Sequence, residues 1–185
     1  FALTGSPGPN TLSLAATGAA FGARGGLAYL AGLVAGMVLV MLATASGVLG
    51  LLLALPAAAP ILTGLVAGYF LWLAVRIATA PPLDEAAGRR RRPSFAAGVS
   101  LSLVNPKAYA AMAALFSGFV LADGRLVLDI AAKVALLSVV ITLVNFAWLF
   151  VGAALRQLFR RPLASRLLNV AFALLLLASL VLALR

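Results

Sequence analysis

The sequence predicts an all-α integral membrane protein: six transmembrane helices arranged as two inverted three-helix repeats, with helices 1 and 4 broken. Three observations carry this expectation. First, 64% of the 185 residues are hydrophobic and 10% are charged, and the mean hydropathy is +1.16. A soluble domain is about half apolar and about a quarter charged, so there are too few polar residues here to cover a water-soluble globule. Second, the charges cut the chain into uncharged runs of membrane-spanning length. Third, two clusters of helix breakers fall at matching places in the two halves of the chain.

The first run, Phe1 to Ala23, ends at Arg24. The chain opens at Phe1 with this run already under way, so the start of helix 1 is expected to be missing, and no basic n-region of a signal peptide is seen. Residues 25–75 are uncharged, 51 in a row, and a membrane helix needs about 20. That run holds two helices, with Pro56-Ala-Ala-Ala-Pro60 as the turn between them, because proline disfavours helix on its N-terminal side. A polar stretch from Arg76 to Arg92 follows, carrying Pro81-Pro82, Asp84, Glu85 and four consecutive arginines. Residues 93–122 are apolar except for Lys107, and Asp123 to Lys133 is a charged connector. Residues 134–155 give 22 uncharged positions and residues 167–184 give 18, with a basic segment, Arg156 to Arg166, between them. The expected helices are 1–23, 26–55, 60–79, 94–122, 131–155 and 164–184. Alternation of period 2 is missing, which excludes a β-barrel.

Fourteen Lys+Arg against four Asp+Glu give +10. In a soluble protein this balance would suggest nucleic acid, but in a membrane protein it reports orientation, and no nucleic acid partner is expected. Loops 1–2, 3–4 and 5–6 hold ten of the basic residues, while the other side holds Arg125, Lys133 and Arg185. The positive-inside rule then places both termini outside. The Arg89–Arg92 run reads as a topology anchor at the lipid headgroups. The whole chain, 1–185, forms one transmembrane domain, with halves 1–88 and 93–185 joined by this basic cytoplasmic loop. Three helices per half means that similar halves sit upside down relative to each other, as in secondary transporters. Cysteine and histidine are absent, so disulfides, a thiol nucleophile, haem and a Cys/His zinc site are excluded.

The first break is Gly5-Ser6-Pro7-Gly8-Pro9-Asn10. Pro7 and Pro9 remove two backbone donors and Gly8 eases unusual dihedrals, which is more than a simple kink requires. The second break is Asn105-Pro106-Lys107. Asparagine is a favoured N-cap and proline a favoured first helical residue, so a helix start is expected inside a hydrophobic span. Lys107 lies 14 residues from Pro93 and 16 from Asp123, roughly 20 Å along the helix from either end. In hydrocarbon about 30 Å thick that is near the midplane. A lysine there costs about 2.5–3.5 kcal/mol, and its side chain of roughly 6 Å cannot snorkel out. Asp84, Glu85, Asp123 and Asp129 all fall in expected loops, so Lys107 is expected as a cation without an acidic partner, facing a cavity. Its expected guest is a carboxylate, favoured further by the helix N-terminus beside it.

These residues also resemble a family. Ser6-Pro7-Gly8-Pro9-Asn10 is similar to the Pro-Gly-Pro-Asn motif of the LysE/RhtB amino-acid exporters. Asn105-Pro106-Lys107 resembles their fourth-helix Asn-Pro-Lys motif, and Gly68-Tyr69-Phe70-Leu71-Trp72-Leu73-Ala74 resembles their Gly-Tyr-x-x-Trp-Leu-Ala stretch. Leu30-Ala31-Gly32 with Gly36-Met37, Arg76-Ile77-Ala78-Thr79, and Asn145-Phe146-Ala147-Trp148 followed by Gly152 resemble the cysteine/O-acetylserine exporter branch. The resemblance implies export of amino acids across the bacterial inner membrane, driven by protons. Many relatives carry an acid where this chain has Met37, a departure that favours small neutral substrates and leaves no visible carboxylate for the coupling proton.

The expected substrate site lies between the broken helices. Lys107 holds the carboxylate, Asn10 and Asn105 supply polar contacts and caps, and Pro7, Gly8, Pro9 and Pro106 shape the breaks. Tyr109, read as one turn from Lys107, is expected to line the same cavity. Asn145 and Asn169, inside helices 5 and 6, must find partners in lipid, which reads first as hydrogen bonding between helices; Asn145 is also a candidate for substrate contact. Tyr69, Trp72 and Trp148 suit an interfacial belt. Gly32-Leu-Val-Ala-Gly36 and Gly64-Leu-Val-Ala-Gly68 suit close helix packing and equally a homodimer face. No cofactor or metal is implied. A membrane hydrolase or acyltransferase would need a nucleophile and a base, and only serine and lysine remain in the spans. A non-transporting assembly subunit would not need a midplane lysine between two breaks.

The orientation is testable in this cysteine-free sequence. With single cysteines at Ala87 and Ala122, an impermeant thiol reagent added to whole cells should label position 122 only. Labelling at 87 instead would reverse the topology.

Overall fold

The computed structural model describes residues 2–47, 58–79, 91–156 and 162–183. Among these residues all regular structure is helical: α1 (Ala2–Gly5), α2 (Pro9–Ala45), α3 (Ala58–Ala78), α4 (Phe95–Val104), α5 (Pro106–Gly118), α6 (Leu126–Ala154) and α7 (Pro162–Ala183). α2 and α6 are each long and apolar enough to cross a membrane, and α4 and α5, bent by 66° at their break, are so when taken together. The protein is therefore a multi-pass membrane protein.

Both expected breaks are present. Helix 1 is interrupted over Ser6–Gly8, between α1 and α2, and helix 4 at Asn105, between α4 and α5. The boundary between the first and second expected helices falls inside α2, at Gly22. Its φ of 73° and ψ of 169° are non-helical, a conformation open to glycine and strained for any residue with a Cβ. The chain thus turns two residues before Arg24. Ala58, Ala59 and Pro60 of the expected 56–60 turn lie in the first turn of α3, which starts there with Pro60 near its N-terminus, while Pro56 and Ala57 lie outside the described residues. Of the arginine run, Arg91 and Arg92 are described, non-helical and exposed.

The expected connector from Asp123 to Lys133 is corrected. α6 begins at Leu126, so Asp129 stands in its first turn and Lys133 one turn later. Both are buried. The Asp129 carboxylate accepts hydrogen bonds from the backbone N–H groups of Leu121 and Ala122 and pairs with Lys133 Nζ at 2.7 Å. Lys133 Nζ also donates to the carbonyl of Phe116 at 3.0 Å. Residues four apart on a helix face each other, so this pair can stay helical while it ties α6 to the end of α5. That tie also explains why α5 stops at Gly118, short of the expected 122.

α2 is the central element. It packs along α6 and α4 and touches α5, while α3 packs on α7. The α2 crossings bring backbone against backbone at glycines. A Cβ added at Gly18 would strike the Leu149 carbonyl, one at Gly152 the Ala15 carbonyl, one at Gly32 the Phe95 carbonyl, and one at Gly98 the Tyr29 carbonyl. In lipid, where apolar burial does not draw helices together, such close van der Waals approach is a principal attraction. The Gly32–Gly36 stripe is therefore occupied within the chain, against α4. A Cβ added at Gly64 or Gly68 of α3 meets nothing within 4 Å. Around the crossings sit two buried clusters, one of Leu14, Tyr29, Leu30, Leu33 and Leu149, the other built on Met37, Val40, Met41 and Met112. Leu65, Leu71 and Trp72 of α3 and Leu163 and Leu174 of α7 are exposed, an apolar face suited to lipid.

Gly152→Ala should therefore lower folded stability by about 1–3 kcal/mol, since a methyl must force two backbones apart. Gly64→Ala should leave stability unchanged. Thermal unfolding of both variants in detergent measures the contrast, and an equal loss in the two would contradict the glycine crossing.

Candidate functional site

The site begins with carbonyl groups that a helix would normally consume. In a helix the N–H of residue i bonds the carbonyl of residue i−4. Pro9 has no N–H, so the Gly5 carbonyl is left open, and it accepts from Trp148 Nε1 at 3.2 Å. α2 restarts only at Pro9, which frees the carbonyls of Ser6 and Pro7 as well. Thr11 holds the restart in shape: its Oγ1 accepts from Gly8 N–H at 2.9 Å.

The second break supplies the donor. Asn105 Oδ1 accepts from the Lys107 N–H at 3.1 Å, capping α5 as expected, with Pro106 in its first turn. The cap sends the Lys107 side chain to the first break. Its Nζ donates to Pro7 O at 2.7 Å, Ser6 Oγ at 2.8 Å and Ser6 O at 3.1 Å. Gly8 permits this: a Cβ there would sit 3.0 Å from both Cδ and Nζ of Lys107. The cation expected to have no acidic partner has none among the described residues, but it is not bare. All three ammonium donors are used, because the proline-opened turn offers neutral oxygens where the sequence offered no carboxylate.

A buried hydrogen-bond chain locks the two breaks together. Asn105 Nδ2 donates to Asn10 Oδ1 at 3.0 Å, Asn10 Nδ2 donates to Ser102 Oγ at 2.9 Å, and Ser102 Oγ donates to the Leu33 carbonyl at 2.9 Å. The chain joins both parts of α2 to α4 and α5.

Beside this junction lies a cavity of ≈ 50 Å³. A water needs roughly 10–15 Å³ by the same measure, so the space suits a few waters. Lys107, Asn10, Asn105, Ser6 and Thr11 form its polar side, and Met37, Ala108, Ala111, Met112 and Ile141 its apolar side. Among the described residues no acidic side chain lines it. Two helix N-termini, of α2 and α5, adjoin the ammonium, and each carries partial positive charge. Asn145 also lines the cavity. It is 3% exposed, and its Nδ2 has no hydrogen-bond partner among the described residues. A buried donor left without an acceptor costs about 1–3 kcal/mol.

Lys107, Asn10, Asn105, Gly8 and Asn145 thus meet at one cavity, and Pro7 joins them through its carbonyl. Pro9 and Pro106 start the helices that frame it. Tyr109 is not among the lining residues. It packs beside Met37 and Met112, because two residues along a helix turn a side chain roughly 200° away. Asn169 is buried in α7 and does not line the cavity. Sequence reasoning missed Ser6 as an acceptor, Ser102 as a bridge and Trp148 as an anchor for Gly5. Ser102 carried a signal: a serine in an apolar span, one turn before the break, must find a partner.

Comparison with known proteins places the chain. The family model described as LysE type translocator matches residues 1–184. The cysteine/O-acetylserine efflux proteins of Escherichia coli (strain K12) and Shigella sonnei (strain Ss046) are each 33% identical to it over 172 residues, covering 92% of this chain and 86% of theirs. No solved structure matches the chain significantly.

Ser102→Ala tests the buried chain. It leaves Asn10 Nδ2 and the Leu33 carbonyl without their partner, so stability should fall by about 1–3 kcal/mol. Ser46→Ala removes an exposed hydrogen bond to the Ala43 carbonyl and should cost nothing measurable. Thermal unfolding compares them, and a neutral Ser102→Ala would break the chain as described.

Proposed function

The chain belongs to the LysE type translocator family, and from that premise we propose that it exports small neutral amino acids or close metabolites across the bacterial inner membrane. The substrates intended are of the cysteine/O-acetylserine and homoserine/threonine type. Family membership makes the protein a transporter and not an enzyme.

The observation that carries the substrate class is the cavity itself, lined by one ammonium and two helix starts and by no carboxylate. Such a site favours an anionic group. A carboxylate is a stronger acceptor than a neutral carbonyl, so the substrate carboxylate displaces one or more of the Ser6 and Pro7 oxygens from Lys107. The oxygens it releases then face the substrate ammonium. A zwitterion is thereby matched at both ends, while a cationic side chain would find no counter-charge. Met37, on the apolar side, stands where many relatives have an acid, which points to neutral substrates. Export driven by the proton gradient rests on the family resemblance alone.

A cavity of ≈ 50 Å³ is too small for a whole amino acid, so loading requires the helices to part. Alternating access by two inverted halves accounts for this. The helix pairs in contact support it: the first expected helix against the fifth, the second against the fourth, the third against the sixth. Exchange of the two halves leaves that set unchanged. Asn10 and Asn105, at corresponding breaks, bond each other.

A second reading, in which Lys107 only pins the breaks, rests on the same three hydrogen bonds, and one experiment separates the two. Counterflow of labelled cysteine in proteoliposomes is competed with serine or serinamide. The parent protein should be inhibited by serine and hardly by the amide. Lys107→Met should lose roughly ten- to a hundred-fold in affinity for serine, the worth of a charge-assisted hydrogen bond, and with it the discrimination. Lys107→Arg should fall between, because a planar fork replaces a point charge. Undiminished discrimination in folded Lys107→Met protein would leave the lysine as a pin.

A further inference from the structure

We infer that Asn145 reads the substrate's side chain, by donating from Nδ2 to an oxygen acceptor carried there. The inference rests on the exporter reading above and adds to it which group of the substrate is recognised and by what.

Asn145 is buried on α6 and lines the cavity one turn after Ile141. Every other polar side chain on that surface has a partner: Lys107 on Ser6 and Pro7, Asn10 and Asn105 on each other, Thr11 on Gly8, and Thr4 in a further contact. The Asn145 amide nitrogen has none among the described residues. It carries two N–H groups and accepts nothing, so a substrate ammonium cannot satisfy it. The substrate carboxylate is held at Lys107. What remains is an acceptor on the side chain, and the apolar neighbours Ile141, Met37 and Met112 suit the carbons that bear it. The class favoured is an α-amino acid with a hydroxyl or O-acyl oxygen on a short aliphatic side chain, with the thiol of cysteine, a weaker acceptor, ranked between these and the bare alkyl analogues. A site built to bond such an oxygen rejects the analogue lacking it, since its own buried polar group is then left unpaired.

The test is transport by the intact protein in proteoliposomes, using two matched pairs: serine with alanine, and homoserine with 2-aminobutyrate. The parent should favour the oxygen-bearing member of each pair at least tenfold. Asn145→Leu and Asn145→Ala should bring both ratios close to one, chiefly by slowing the oxygen-bearing member. Ratios measured within each variant do not depend on folded yield. A parent that transports the paired members equally overturns the inference and leaves the exporter reading standing. So do variants in which all four substrates slow together with the ratios intact, which would make Asn145 a packing residue or the holder of a bound water. A parent that transports none of the four overturns the exporter reading, and this inference with it.

Discussion

An ammonium inside a membrane needs three oxygens, and membrane helices keep their oxygens engaged in their own hydrogen bonds. Oxygens come free where a helix is broken, and the Pro-Gly-Pro turn provides such a place. Lys107 takes two of them, the carbonyls of Ser6 and Pro7, and completes its set with the Ser6 hydroxyl. Each break therefore solves the other's problem. The open carbonyls of helix 1 receive donors, and the lysine at the restart of helix 4 receives acceptors. Neither segment would be stable alone in hydrocarbon, since the first would strand carbonyls and the second would strand a charge.

The rest of the packing serves that meeting. Glycines at positions 18, 32, 98 and 152 let α2 press directly on the backbones of α4 and α6, so both breaks are held at fixed depth and distance. The Asn105–Asn10–Ser102–Leu33 chain then fixes their rotation. Trp148 fastens the end of α1 through the Gly5 carbonyl, which settles the last carbonyl before the break. The result is a polar junction with an apolar floor, where the contacts are complete at Lys107 and incomplete at Asn145. The proposed transport role uses both properties: a carboxylate is a stronger acceptor than the oxygens now on Lys107, and Asn145 Nδ2 is a buried donor without a partner among the described residues.

Much of this was legible in the sequence, because it follows from local chemistry. Uncharged runs mark helices, and Pro7, Pro9 and Asn105-Pro106 mark breaks whatever surrounds them. What was not legible depends on which segments meet. Sequence reasoning sought an acid for Lys107, whereas the structure supplies the Ser6 hydroxyl and two backbone carbonyls, which no residue type advertises. Asp129 looked like a loop residue because charge usually ends a span, yet the backbone amides of Leu121 and Ala122 and the Lys133 ammonium let it sit inside a helix. Trp148 suited an interfacial belt until its N–H met Gly5. Tyr109 is close to Lys107 in sequence but not in direction, because two helical residues turn a side chain by roughly 200°.

The central claim is that a carboxylate replaces the helix-1 oxygens on Lys107. A structure of the protein with a transported amino acid bound tests it most directly. The account predicts a carboxylate oxygen within about 3 Å of Lys107 Nζ, with at least one of Ser6 O, Ser6 Oγ and Pro7 O moved out of hydrogen-bonding range. An amino acid bound elsewhere, with Lys107 still donating to all three oxygens, would contradict it.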